Sequence, residues 1–317
     1  MRTGVSYMGH HIPSHIEMDI REMVQLKLDD VLVAAQENDF TYFTGKIQFT
    51  PKIAADYGLR PIAIFWGVLN LFGGGRSSQF LLDHPEGFQK SRDGSHIPAG
   101  CYMNPINIAR IQEMIDMIAE LGFTGYFVDE PTPMWDCFCP SCQVKFIEWY
   151  NRDMLYASQD QLAEFRNRCV IDYVEKIASY CKQNHPSLET MCCIMDCDRQ
   201  VWDKAARIKA LDNLGTDLYW VNSDRDVEEM VPIIQDLDAL CKRNKKIHHE
   251  WLQCWGVQRG REERILEQGK VLIRTKPDAL YVWAWKAQHG TNESSQDPIR
   301  AWQMAETVLR LAKQDED

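Results

Sequence analysis

No uninterrupted apolar stretch in the sequence is long enough to cross a bilayer. The opening segment MRTGVSYMGHHIPSH lacks the apolar core of a secretion signal. Positive charge is scarce, with 35 Lys and Arg against 46 Asp and Glu, for a net charge of −11. Such a surface repels phosphate backbones and anionic headgroups, so neither nucleic acid nor membrane is expected as a partner. A soluble, cytoplasmic protein is expected. The glycine-rich first turn of a dinucleotide-binding fold is missing. The one glycine run, FGGGRSSQF (72–80), lacks the Lys-Ser/Thr of a phosphate loop and reads as a rim loop. Cysteine is plentiful, but its count of 11 is odd and no export signal accompanies it, which argues against a disulfide framework. Cys192, Cys193 and Cys197, in or beside an apolar run, read as small buried hydrophobes.

What the chain does have is an even alternation of strand-like and helix-like segments. Eight short runs rich in β-branched and aromatic residues read as buried parallel strands: 4–9, 29–36, 61–69, 124–130, 189–196, 217–222, 246–253 and 279–286. Helical periodicity fills the gaps. In NPINIARIQEMIDMIAELG, Ile108, Ile111, Ile115, Ile118 and Leu121 recur every three or four residues, with Pro105 suited to the first turn and Gly122 to the C-cap. Eight βα units in one chain predict an α/β fold, a (β/α)8 TIM barrel forming a single catalytic domain over residues 1–317. A doubly wound sheet is the rival. Two extended loops, 70–104 after the third strand and 131–158 after the fourth, would lie on the C-terminal face, where barrel chemistry takes place.

The strand ends on that face carry a recurrent chemistry. Carboxylates include Glu37, Asp129, Glu130, Asp196 and Glu250, and indoles include Trp66, Trp251, Trp283 and Trp285. Asn222, His249 and His11 join them. Indole faces stack on the C–H faces of sugars, and carboxylates and amides bind hydroxyls. Cleaving a glycosidic bond takes two carboxyl groups flanking it. The fourth and seventh strands lie across a barrel mouth, so Glu130 and Glu250 are placed to face one another. Any one of these carboxylates could instead cap a helix or pair with a cation, and any one tryptophan could be core. Near the fourth strand lies DCFCPSC (136–142), whose three cysteines are open to a redox or a metal reading.

The order CYMNP (101–105), helix, VDEP (128–131), CFCPSCQVKFIEWY (137–150) resembles glycoside hydrolase family 42, the β-galactosidases of clan A. The resemblance implies a structural zinc on Cys101, Cys137, Cys139 and Cys142, with His96 as the substitute fourth ligand. It also implies Glu130 as acid/base, Glu250 as nucleophile of a retaining mechanism, and a sugar-stacking Trp283 or Trp285. The chain departs from the family in having Asp129 where clan A has Asn before the acid/base. It is also too short for the accessory domains of the β-galactosidases.

The Asp129-Glu130 pair locally resembles the family 20 hexosaminidases. That resemblance implies a substrate-assisted N-acetylhexosaminidase, in which Asp orients the 2-acetamido group. Two further readings stand beside these. One is a metal-dependent sugar isomerase with Glu130, Asp196, His249 and Glu250 as ligands. The other is a carbohydrate-binding barrel without catalysis. In each the partner is a small carbohydrate or glycoside, and assembly into a homo-oligomer is left open.

Overall fold

The computed structural model describes residues 1–67, 69–71, 73–74 and 77–314. Among the described residues ten strands are present: β1 (Arg2–Tyr7), β2 (Asp30–Ala35), β3 (Arg60–Phe65), β4 (Phe88–Lys90), β5 (His96–Gly100), β6 (Gly125–Val128), β7 (Glu189–Cys193), β8 (Asn213–Asp217), β9 (Ile247–Gln253) and β10 (Ala279–Trp283). Eight of them close into a barrel in the order β1-β10-β9-β8-β7-β6-β3-β2, every pair parallel. With helices between the strands, this is the expected (β/α)8 barrel. β4 and β5 form a separate antiparallel hairpin within the loop after the third barrel strand. Part of the glycine run, namely Phe72, Gly75 and Arg76, lies outside the described residues, as does Val68.

Alternation along each strand sorts the side chains. Leu32, Ala34, Ile62, Ile64, Phe127, Met191, Trp251 and Tyr281 pack inside the barrel. Val31, Val33, Ala63, Leu252 and Leu280 belong to a second apolar layer under the helices. The helix Pro105–Glu120 shows how a sequence pattern becomes packing. The Asn104 side chain accepts from the Ile106 amide to cap the N-terminus, and Ile111, Met114, Ile115 and Ile118 are buried against the sheet. Gly122 closes it at φ +89°, a conformation that costs glycine nothing. At the N-terminal floor, Glu189 accepts from Arg2 at 2.9 and 3.0 Å, Arg60 at 2.5 Å and Asn213 at 2.9 Å.

One strand is not where its sequence suggests. The expected strand 217–222 is replaced by Asn213–Asp217, which ends where the expectation begins. Asn213 and Gly215 read as turn residues, yet both serve the barrel interior. Asn213 Oδ1 lies 2.6 Å from His249 Nδ1. A Cβ on Gly215 would stand 2.3 Å from the His249 ring. The small residue makes room for an imidazole, and the aromatic run after it is the following loop. Cys192 and Cys193 are buried as expected, whereas Cys197 is exposed in the turn after β7.

Candidate active site

A cavity of about 340 Å³ opens at the C-terminal end of the barrel. Its walls are aromatic: Trp66, Tyr219, Trp251, Trp255 and Trp283. Trp283 anchors the group, 6.2 Å from Trp66 and 5.7 Å from Trp251 between ring centroids. Four carboxyl groups share the same space: Asp129, Glu130, Asp217 and Glu293. Among the described residues that line it there is no Lys, Arg or His.

Asp129 and Glu130 follow directly on β6, the fourth barrel strand. Glu130 has φ +39°, the left-handed region that costs an ordinary side chain roughly 1–2 kcal/mol. Backbone strain of this kind concentrates at functional sites. Asp217 ends β8, level with Trp251, and is only 5% exposed. Neither of its carboxyl oxygens has a hydrogen-bond partner, and it shares the cavity lining with Glu130. Burial first, and then the neighbouring acids Glu130 and Asp129, push Asp217 well above the carboxylate range. Burial and then Glu130 do the same to Asp129, and burial alone raises Glu293.

Of the residues singled out from the sequence, Trp66, Asp129, Glu130, Trp251 and Trp283 meet in this cavity. The others do not. Glu37 accepts from the Gln79 and Phe80 amides at 2.6 and 2.8 Å, so it caps a short helix. Asn222 joins two loops, donating to Gly256 O and accepting from Gln258 N, both at 2.9 Å. Asp196 begins a 3₁₀ turn, and His11 is exposed with its ring 5.0 Å from Phe43. Trp285 packs edge-on to Trp302 at 4.8 Å, a core role rather than a platform. His249 lies inside the barrel, bonded to Asn213, and does not line the cavity.

Glu250 requires the largest correction. On β9, the seventh barrel strand, His249 and Trp251 point inward, so Glu250 points outward beneath the helix Met230–Asn244. There it lies 2.7 Å from His248 Nε2, whose Nδ1 is 3.5 Å from Asp238 of that helix. It is fully buried and faces away from Glu130. The opposed directions of His249 and Glu250 also rule out one metal ion shared by Glu130, Asp196, His249 and Glu250.

The Glu250–His248 pair is a structural feature with its own consequence. Burial lowers the His248 pKa, but the Glu250 bond and the charges of Glu250, Asp238 and Asp278 outweigh it, and the net shift is upward. The stabilisation is complete below about 6.5, the free imidazole value, and is lost as pH rises through the folded value. Glu250→Ala should therefore cost on the order of 3–5 kcal/mol, because it strands a buried histidine. Turnover per folded molecule should be unaltered. Denaturant melts combined with active-site titration check both.

Sequence reading missed Asp217, Tyr219, Trp255 and Glu293. Asp217 was within reach. Had the strand been ended there rather than begun there, it would have been a strand-end carboxylate.

A second cluster lies beside the cavity loops. The sulfurs of Cys101, Cys137, Cys139 and Cys142 all fall within 4.8 Å of one another, and all four residues are buried. Cys101 Sγ is 3.4 Å from Cys142 Sγ and 3.5 Å from Cys139 Sγ. Cys101 follows β5, Cys137 lies in the loop after β6, and Cys139 and Cys142 open the helix Pro140–Tyr150. A tetrahedral zinc with Zn–S of about 2.3 Å needs sulfurs about 3.8 Å apart, a spacing this cluster brackets. The residues fit the ion. His96 is exposed and stacks on Phe88, so it is not part of the group.

Comparison with known proteins gives a likeness in fold. No protein-family model and no curated protein matches the chain. Among solved structures it is similar to a β-galactosidase from the Antarctic haloarchaeon Halorubrum lacusprofundi (TM-score 0.76, 13% identity, 99% of this chain and 58% of that one). It is also similar to a GH42 β-galactosidase from G. stearothermophilus (0.73, 14%, 99% and 56%). An endo-1,4-β-mannanase from Rhizomucor miehei matches at 0.66 with 11% identity, covering 99% of this chain and 95% of that one. The chain thus spans less than three fifths of these two β-galactosidases, and what it shares with all three is the barrel.

Proposed function

We propose that the protein is a glycoside hydrolase whose general acid is Glu130. The observation that carries this reading is a carboxyl on a strained strand end, held among other carboxyls in a cavity walled by indoles. Glu130 would protonate the leaving oxygen as the glycosidic bond breaks. Trp66, Trp251 and Trp283 would hold the ring by its apolar face. The likeness to β-galactosidase and mannanase barrels supports the substrate class. The whole catalytic unit would lie within residues 1–317, in a soluble cytoplasmic protein. Cys101, Cys137, Cys139 and Cys142 would hold a structural zinc, which would supply bracing and take no part in the reaction.

A specific observation favours substrate assistance over the two-glutamate route. The inward positions of β9 are His249, Trp251 and Gln253, so the seventh strand brings no carboxylate to the cavity. The nucleophile would then be the carbonyl oxygen of a 2-acetamido group on the sugar, oriented by Asp129. It attacks the anomeric carbon as the aglycone leaves with the Glu130 proton. Water then opens the ring so formed, giving its own proton back to Glu130.

Nitrophenyl hexosides with and without a 2-acetamido group test this directly. N-acetylhexosaminides should be cleaved with retention of configuration, and plain hexosides should be poor substrates. Equal rates for a galactoside and its 2-acetamido analogue would remove the assisted route. Sugar binding without turnover on any glycoside would leave a carbohydrate-binding barrel.

A further inference from the structure

We propose that Asp217 is a specificity-determining residue whose carboxyl accepts a hydrogen bond from one hydroxyl of a sugar held by the cavity indoles. This rests on the reading of the cavity as a carbohydrate site, and says which group in it tells one sugar from another. Asp217 and Trp251 are partners in the parallel register of β8 and β9, and both line the cavity. Asn213 and Gly215, at the same alternation of β8, face the barrel interior beside His249, so the strand turns Asp217 inward as well. Trp251 has the ring of Trp283 5.7 Å away. Asp217 is 5% exposed, and neither of its oxygens has a hydrogen-bond partner. A bare carboxyl beside an indole pair is what a sugar ring calls for: an apolar surface to lie on and an acceptor at its edge.

The orphaned atoms define what fits. Among the described residues lining the cavity, the buried polar atoms without a partner are the two Asp217 oxygens and Trp255 Nε1. The oxygens call for a donor and the indole N–H for an acceptor. A hydroxyl is both, whereas a buried polar group left without a partner is costly. Trp255 is held in place by its neighbours. Its ring stands edge-on to Tyr219 at 5.9 Å, and the amide of Gly256 beside it donates to the Glu293 carbonyl at 2.9 Å, tying the loop after β9 to the loop after β10. No described Lys, Arg or His lines the cavity to satisfy Asp217 from within. The donor must come from what enters. A sugar hydroxyl supplies one, and a carboxylate or sulfate group does not.

The test uses the full-length protein and its tryptophan fluorescence. The probes are N-acetylglucosamine, N-acetylgalactosamine and analogues of each that lack a single hydroxyl. One deoxy analogue should bind the wild-type protein roughly 10–100-fold more weakly than its parent, the effect of leaving a buried acceptor unpaired. Asp217→Ala should weaken the parent sugar by a similar factor and leave that one analogue unaffected, so the two losses do not add. Asp217→Asn keeps an acceptor oxygen and should retain part of the discrimination, which also covers an alanine variant that does not fold. With a cleavable glycoside the loss should fall on KM more than on kcat. A merely structural Asp217 would weaken every sugar alike and lower Tm, and that outcome overturns the proposal. If the sugars bind and both variants bind them as the wild type does, the subsite fails and the carbohydrate reading stands. If Asp217 discriminates among sugars while no glycoside is cleaved, the hydrolase reading fails and the subsite stands. A protein that binds none of the probes overturns both.

Discussion

Glu130→Gln should lower kcat/KM by roughly 10²–10⁴-fold on an alkyl glycoside, the range that a positioned proton donor supplies. The loss should shrink sharply on a dinitrophenyl glycoside, whose leaving group departs without help. The substituted amide keeps the shape of the side chain and the left-handed backbone but cannot give up a proton. The defect should therefore track leaving-group pKa while KM stays near the wild-type value. Plotting log kcat/KM against leaving-group pKa for both proteins checks this. A variant line parallel to the wild-type line would remove Glu130 from the acid role, whatever its overall depression. Because Asp129 and Asp217 line the same cavity as Glu130, the wild-type pH profile should report the group of three and not a single carboxyl.

The second large effect belongs to the cysteines. Cys139→Ser should abolish stoichiometric zinc binding and lower the melting temperature by more than any single surface change. Structural zinc contributes an apparent 10–16 kcal/mol in small zinc-dependent peptides. Only part of that should appear here, because the barrel has a large core of its own. The loss should fall on the cavity wall. Cys101 belongs to the loop after the third barrel strand and the other three to the loop after the fourth, so the cluster joins two long inserts. Metal analysis, thiol titration and calorimetry together decide the matter. Protein purified without chelators that holds no zinc and titrates four accessible thiols would overturn it. The turnover of the molecules that stay folded should suffer less than their stability.

The barrel was legible because its signal is redundant. Eight apolar runs separated by helical periods survive an error in any one of them, as the misplaced sixth strand shows. The four cysteines were legible as one set through the resemblance to family 42, since Cys101 lies too far along the chain for spacing alone to join it to the other three. The outward facing of Glu250 was not legible, for a reason of geometry. On a strand, inward and outward differ by one residue, and His248, His249, Glu250 and Trp251 offer a polar or aromatic group at every step. Only the partners decide. Asn213 draws His249 inward, while Asp238 lies beside His248 and Glu250 on the outside. Asp217 was hidden by Gly215 and Asn213, which look like a turn until the imidazole they accommodate is known. Glu293 and Trp255 lie on loops after the last two barrel strands, where no periodicity marks them.

The two ends of the barrel also differ in how they treat charge. At the floor, Arg2 and Arg60 neutralise Glu189 and hold its pKa down to about 2 against the opposing effect of burial. At the mouth, four acids stand together without a cation among the described residues that line the cavity. Two like charges 4 Å apart repel by on the order of 4 kcal/mol at an effective dielectric of 20. A uronate or a sulfated sugar would bring its own negative charge into that company. On the proposed reading, the mouth would favour neutral sugars over polyanionic glycans before any hydroxyl is recognised.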